Sequence, residues 1–392
     1  MKILHTADWH LGKVFHNHSL VSDQEHILQQ FIAIAKDTRP DVILIAGDIY
    51  DRSVPPKEAV ALFDNILETL ILDLKIPVIA IAGNHDSPDR IDFGRRLFRA
   101  QHLYISGRPD TQPQPVIVSD KYGKVYFYPF PYIDPINMHF YLHAEGLLPE
   151  GSGLATHGDL FEWFVGAVDA VHPFPERAVC VAHPFVQEVS QDLHNASDAE
   201  RRIAVGGQYQ VSKRVFAPFH YTALGHLHSR QALSGTDVHY SGSILKYSFS
   251  ETDHQKSVTL VELDERGHTR LNFIDLKPLR EVRKISGIIE DQRFIPDDAT
   301  ASPTDFLWVR LRNTSPVLHA LPIVQEQFSH AVSIENKMAK PLSDALPAME
   351  GADHPSPVVL FERFYEEMME TSLPKAQRQI IQEIIQAMDQ EE

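Results

Sequence analysis

Seven side chains of metal-binding type stand at five places in this 392-residue chain, each after a short apolar run. Asp8 and His10 follow Ile3-Leu4, Asp48 follows Val42–Ala46, and Asn84 follows Val78–Ala82. His183 follows Ala178–Ala182, and His226 and His228 follow Tyr221–Leu224. This mixture of nitrogen and oxygen donors suits Mn²⁺, Fe²⁺ or Zn²⁺ better than Ca²⁺ or Mg²⁺ alone. Two aspartates, one asparagine and four histidines are too many for one ion and about right for two, if one carboxylate bridges them. Two ions about 3.5–4 Å apart are a standard device for in-line displacement at phosphorus, because one acidifies a bound water and both clamp the phosphoryl oxygens. The leaving alkoxide then needs a proton from a group that is not itself a ligand. His85, beside Asn84, is available for that role.

Taken singly, none of these motifs is decisive. Gly83-Asn84-His85-Asp86 is an ordinary tight turn, since Gly and Asn both tolerate left-handed backbone. The pairs Asp8/His10 and His226/His228 are two residues apart, which in extended chain puts both side chains on one face. A pair straddling a loop would instead serve two adjacent ions. The weight lies in all five places recurring in order. Other candidates fall away: His26 sits in an amphipathic pattern that faces water, near His16 and His18, and His157 in ATHGDLFEW reads as a helix start. Cys180 lies inside a strand with no nucleophile context, and Asp86 is read as holding the turn or orienting His85.

Five strand ends meet only if the strands share an architecture. Each apolar run has the length of a strand buried on both faces. Helical spacing of apolar residues marks Asp23–Lys36 and Lys57–Leu72, the second preceded by Pro55-Pro56. Strand, helix, strand in this order predicts an α/β layer fold, whose loops converge on one crevice at the carboxyl ends of the strands. Residues Val238–Leu276 are expected to form antiparallel strands, with Asp264–Gly267 as a hairpin turn. From Pro278 a smaller unit follows, with strands at 281–289 and 305–313 and a helix over 322–332. A Pro- and Ala-rich linker then leads to two short amphipathic helices. The domains expected are 1–277, 278–340, a linker at 341–356, and a docking tail at 357–392.

Thirty-six basic and 53 acidic residues give a net charge of −17, which argues against binding of polyanions by the chain alone. Divalent ions can invert the charge of a carboxylate-lined site, and a partner can supply basic surface. A single cysteine excludes an internal disulfide and suits a reducing cytoplasm. The opening MKILHTADWH places charged and polar residues too early for a secretory signal. No apolar run approaches the roughly 20 residues that cross a bilayer.

The series DWHLG (8–12), GDIYDR (47–52), GNHD (83–86), His183 and GHLH (225–228) resembles the calcineurin-like metallophosphoesterase superfamily. Within it, ILHTADWHLGK, HYTALGHLH and YSGSILKYSFSE resemble the branch of DNA end-processing nucleases, over Met1 to about Leu276. The resemblance implies a four-layer α/β/β/α core with a small α+β capping domain. It implies two ions, usually Mn²⁺, with 3′→5′ exonuclease action on duplex ends and endonuclease action on single strands and hairpins. Asp8, His10, Asp48 and His228 would hold one ion, and Asp48, Asn84, His183 and His226 the other, with His85 as the acid. The implied partners are DNA, an SMC-like ATPase docked on the terminal helices, and a second copy of the chain, forming a homodimer within a heterotetramer. Asp51 departs from the histidine of archaeal and eukaryotic relatives, and Asp51-Arg52 echoes the phosphatase branch, which makes Arg52 a candidate phosphate contact. Pro184 after His183 costs a backbone donor but not the ligand. The same core could instead serve a phosphomonoesterase or cyclic-nucleotide phosphodiesterase, or carry a structural metal on a scaffold.

Overall fold

The computed structural model describes residues 1–148, 153–173, 175–187, 210–315, 317–336, 358–359, 361–362, 365–366 and 372–388. They divide into two compact units, Met1–Val282 and Arg283–Glu392.

The first unit is built on two six-stranded sheets. Its strands are β1 (Lys2–Thr6), β2 (Val42–Ala46), β3 (Val78–Ile81), β4 (Leu103–Ser106), β5 (Val116–Asp120) and β6 (Gly123–Phe130). They continue with β7 (Arg177–Ala182), β8 (Tyr221–Leu224), β9 (Gln231–Ala232), β10 (Val238–Tyr240), β11 (Ser257–Leu263) and β12 (Thr269–Asp275). One sheet runs β12-β11-β1-β2-β3-β4 and the other β9-β10-β8-β7-β6-β5. Strands β1 to β4 are parallel, as are β10, β8, β7 and β6. Antiparallel pairing is confined to the flanks.

The inner faces of the sheets pack on each other. Ile3, Val42, Leu44 and Ile79 meet Val125, Phe127, Val179, Val181 and Tyr221 in one core. Leu4, Ile43, Ile45 and Ala80 alternate to the opposite face and are equally buried, which is why β2 reads as an unbroken apolar run. Helices α1 (Val21–Thr38) and α2 (Lys57–Glu68) contribute Phe31 and Phe63, whose rings meet Trp9 edge-on at 5.6 and 6.1 Å. On the other sheet, α3 (Pro135–Ala144) and α4 (His157–Val171) bury Met138, Leu142, Leu160, Phe161 and Phe164 against Tyr128, Phe130 and Cys180. The layers are therefore α/β/β/α. Thr156 caps α4 reciprocally with Asp159, the helix start expected at His157.

Parallel register sets the ends level. Ala46 is paired with Ile81, and Leu224 with Ala182, so the loops that follow emerge at the same height. Two local expectations are revised. Tyr240 ends a short strand that pairs parallel with β8 and antiparallel with β9, so only β11 and β12 form the predicted antiparallel hairpin. Asp264 Oδ1 closes that hairpin by accepting from Arg266 N at 2.8 Å and His268 N at 2.9 Å. Helix α2 ends at Glu68 and passes into a π turn over Thr69–Asp73.

The second unit holds β13 (Val282–Glu290), β14 (Arg293–Pro296), β15 (Phe306–Leu311) and β16 (Ala331–Asn336), in the order β14-β13-β15-β16. Helix α5 (Ala320–Gln325) packs Ile323 and Val324 on Phe294, Leu307 and Val309. It is shorter than the helix expected over 322–332, because Ala331 begins a strand paired with Leu307. The linker at 341–356 lies outside the described residues, and so does most of the first tail helix. The second tail helix is α6 (Lys375–Met388). Among the described residues no helix is long and apolar enough to cross a membrane.

Two histidines are sealed between the sheets. His5 Nδ1 lies 2.9 Å from Tyr221 Oη and His239 Nε2 lies 3.0 Å from Thr259 Oγ1, while His5 Nε2 and His239 Nδ1 form no well-aligned hydrogen bond among the described residues. Burial pushes His239 down to about 4 and His5 well below its ordinary value. The folded pKa is below the unfolded one, so the unfolded chain takes up protons that the folded one refuses. Stability is therefore intact above about pH 6.5 and falls from there toward pH 4, by up to about 1.4 kcal/mol per pH unit for each such histidine. Urea midpoints measured across that window should fall less steeply for His239→Gln than for the wild type; parallel curves would contradict this account.

Candidate metal centre

The loops after β1 and β2 are bound to one another by backbone. Asp8 N donates to Gly47 O at 3.0 Å, His10 N to Asp48 O at 2.9 Å and Leu11 N to Ile49 O at 2.9 Å. These bonds hold Asp8 at φ 53°, His10 at 45° and Asp48 at 48°, while His226 stands at 103°. Left-handed backbone at non-glycine residues costs about 1–3 kcal/mol each and persists only where neighbours impose it. Four instances among the predicted ligands mark a place where geometry outranks stability.

Close approach explains the glycines of the motifs. A Cβ on Gly83 would lie 2.2 Å from Asp48 Oδ1, and one on Gly47 (φ 93°) would lie 2.3 Å from His183 Nδ1. Asp86 fastens the turn to its neighbour by accepting from Ile49 N at 3.0 Å, Tyr50 N at 2.9 Å and Gly83 N at 2.9 Å. That is the loop-holding task predicted for it.

All seven predicted ligands come together around Asp48. Its Oδ2 lies 3.3 Å from His183 Nε2 and 3.7 Å from His10 Nε2, and its Oδ1 accepts from His85 N at 2.9 Å. On one side His10 Nε2 faces His228 Nε2 at 3.1 Å. On the other, Asn84 Oδ1 lies 3.2 Å from both His183 Nε2 and His226 Nδ1. Asp8 accepts from His226 N with both oxygens, at 2.9 and 3.1 Å. One ligand atom from each of Asp8, His10 and Asp48 can lie within 4.8 Å of the others. Two imidazole nitrogens facing each other, beside two buried carboxylates, form a poor set of mutual hydrogen bonds, and His226 Nε2 has no hydrogen-bond partner among the described residues. Donors left in this state are costly when buried. The same set fits divalent cations well.

Electrostatics divides the group. Burial pushes Asp8 up to about 7, whereas the His183 imidazole overcomes burial at Asp48 and holds it well below the usual carboxylate range. Against its own burial, His183 is raised to about 9 by Asp48 and Asp8. Burial lowers His226 to about 3 and His10 well below its ordinary value. At neutral pH, His183 thus carries the positive charge that Asp48 requires.

The remaining candidates are placed differently. His85 is exposed, with Nδ1 2.9 Å from Asp51 O and its ring perpendicular to that of His10 at 4.8 Å. His10, Asp51 and His85 also bring one ligand atom each within 4.8 Å. Arg52 is exposed and forms no ion pair among the described residues. His16 and His26 are exposed away from the cluster, and Cys180 is buried within β7.

Sequence reasoning missed the residues behind the ligands. Gln24 is buried, donates to His10 O at 2.7 Å and Trp9 O at 3.2 Å, and accepts from Gly12 N at 2.9 Å. Tyr247 also donates to Trp9 O. Gln24 does carry a signal, since it occupies the apolar stripe of α1 with Ile27, Leu28 and Phe31. Glu251 closes the stretch YSGSILKYSFSE, which gave it no role of its own; burial would raise its carboxyl, but Lys256 and His228 hold it well below the usual range.

The family model for calcineurin-like phosphoesterases matches residues 1–229. The D subunit of the nuclease SbcCD from Staphylococcus saprophyticus is 36% identical over 291 residues, which cover 74% of this chain and 73% of that protein. Among solved structures, TT1561 of Thermus thermophilus aligns at 14% identity and a TM-score of 0.40, over 70% of this chain and 99% of that one. A dimetal phosphatase from Danio rerio aligns at 14% identity and a TM-score of 0.42, over 69% and 98%.

Two outcomes are expected. A cation that takes His183 Nε2 must displace its proton, so affinity for Mn²⁺ should rise with pH until about 9, with on the order of one proton released at pH 7. Calorimetric titration in buffers of different ionisation enthalpy reads that proton directly; buffer-independent heats would refute it. Gly83→Ala forces Asp48 to move, and a displacement of about 1 Å should cost about 10²-fold in phosphoester hydrolysis, with the circular dichroism spectrum unchanged.

Proposed function

The chain belongs to the calcineurin-like phosphoesterase family, and from that premise we propose that it is the nuclease subunit of an SbcCD-type complex that processes DNA ends in repair. The family is one of metal-dependent hydrolases. The observation that supports the proposal is the single oxygen of Asp48 lying 3.3 Å from His183 Nε2 and 3.7 Å from His10 Nε2, as expected if two sets of donors share one carboxylate. Asp8, His10, Asp48 and His228 hold one ion; Asp48, Asn84, His183 and His226 hold the other. Both are assigned as Mn²⁺. Bound there, the ions supply an acidified water and a clamp on the phosphoryl oxygens.

The chain's own groups do the rest. Asp48 keeps the two sets in register through its bond from His85 N. His85 turns Nδ1 toward Asp51 O, so Nε2 is the atom that delivers the proton to the leaving oxygen. Its exposure at the rim lets it reach that oxygen. Arg52, exposed next to Asp51, is assigned to a phosphate of the substrate, where a guanidinium pairs well. The activities proposed are 3′→5′ exonuclease on duplex ends and endonuclease on single strands and hairpins.

Partners follow from charge and surface. A net charge of −17 leaves the chain ill-suited to DNA by itself, so an SbcC-like SMC ATPase supplies basic surface and ATP-dependent action. It docks on the C-terminal helices, within 357–392 after a linker at 341–356, while residues 278–340 cap the nuclease domain 1–277 and guide DNA. Phe93 and Leu97, 79% and 78% exposed next to the GNHD turn, support self-association into a homodimer within a heterotetramer. The lone buried Cys180 supports a cytoplasmic location.

The Mn²⁺-loaded chain should cleave plasmid and hairpin DNA weakly by itself and efficiently with its coiled-coil ATPase, and leave a panel of phosphomonoesters and cyclic nucleotides largely untouched. Turnover of small esters with intact DNA would instead identify a phosphomonoesterase or cyclic-nucleotide phosphodiesterase. His85→Ala should lower the cleavage rate by about 10²–10⁴-fold while both ions stay bound. An unchanged rate in that variant would remove His85 from the chemistry.

A further inference from the structure

Behind the ligands lies a buried ion pair that the two-ion chemistry does not itself require. Glu251 is fully buried and Lys256 is 7% exposed. Glu251 Oε1 accepts from His228 Nδ1 at 2.9 Å, and Oε2 accepts from Lys256 Nζ at 2.7 Å. The same ammonium donates to His228 O at 2.8 Å and to Ser243 Oγ at 2.7 Å. One pair therefore grips His228 by both its ring and its backbone. Buried ion pairs are seldom more stable than well-packed apolar residues of the same volume, so stability alone is a poor reason for this one. The opposite wall repeats the order of lysine, carboxylate and imidazole: Lys13 Nζ lies 2.7 Å from Asp51 Oδ1, which lies 3.6 Å from His10 Nδ1. That second contact is too long for a hydrogen bond, which leaves Glu251 as the tighter constraint.

We propose that Glu251 is a positioning residue, braced by Lys256, that keeps the proton of His228 on Nδ1 and turns a bare Nε2 toward His10 and the ion of the Asp8 set. This rests on the two-ion centre proposed above. A carboxylate behind a ligating histidine fixes its tautomer and ring orientation, and its loss typically weakens a metal about 10–100-fold. Lys256 keeps the carboxylate from swinging away, and its hold on His228 O fixes the Cα from which the ring extends. A mere counter-ion role for Glu251 would affect folding stability and nothing at the ions.

Mn²⁺ titration of the full chain, followed by electron paramagnetic resonance, separates these roles. The charge-neutral pair Glu251→Gln/Lys256→Met removes the carboxylate without stranding an ammonium, and Glu251→Asp keeps the charge but draws it back by one methylene. Both should bind one ion as the wild type does and the other about 10–100-fold more weakly. Wild-type affinities at both ions in the folded variants would overturn the role of Glu251 alone, whereas a wild-type chain binding fewer than two ions would overturn the two-ion centre itself. If neither variant folds, the side-chain ¹⁵N–¹H spectrum of the metal-free wild type decides. A His228 proton on Nδ1 supports the proposal and one on Nε2 overturns it.

Discussion

Asp48 is held from both directions. Its Oδ1 is fixed by the backbone N–H of His85, and its Oδ2 stands between His183 and His10. The residue can occupy this point only with a left-handed backbone and only because Gly83 has no side chain to intrude. Two buried carboxylates repel each other in such a space, and the repulsion is relieved from two sides: burial raises Asp8 toward its neutral form, and Asp48 and Asp8 raise His183 toward its charged form. The protein thus keeps a cation-shaped electrostatic deficit at the edge of its sandwich, and other features of the first unit serve to maintain it.

The scaffold acts through register rather than through any single contact. Parallel pairing ends β2 level with β3 and β7 level with β8, which delivers Asp48, Asn84, His183 and His226 to one height. Strain is then distributed among several restraints. Asp86 binds the third loop to the second through two backbone donors and closes its own turn through a third, and Gln24 grips the first loop from α1. Glu251 and Lys256 reach His228 from beyond β10. Each restraint is polar, buried and satisfied, so the site's precision comes from networks that would be costly to leave incomplete.

The cluster of donors was legible in the sequence because two simple signals coincide: apolar runs that stop abruptly, and donors placed within a few residues of each stop. The layer order followed from the same runs. What lay behind the ligands was not legible in the same way. Glu251 is 23 residues from His228, and although it closes the stretch YSGSILKYSFSE, its local pattern does not show that its carboxylate faces a histidine of the cluster. Asp8 and His10 adopt backbone normally reserved for glycine, which local preference argues against; tertiary bonds from Gly47 and Asp48 override it. Gln24 stood in plain view as a polar residue in an apolar stripe, and its burial is the feature a pattern search weighs least. The parallel pairing of Val238–Tyr240 was hidden because a three-residue strand has no periodicity to read.

Acidity and function are reconciled at this same point. A chain of net charge −17 repels a phosphodiester, and the proposed binding of two divalent ions would reverse that charge at the cluster. The most direct test of the shared carboxylate is the Mn²⁺ stoichiometry of Asp48→Asn beside that of the wild type, measured by equilibrium dialysis. Two ions in the wild type and weakened binding at both sites in the variant are predicted. Retention of one ion at full affinity in Asp48→Asn would show that the two sets of donors do not share Asp48, and would contradict the account.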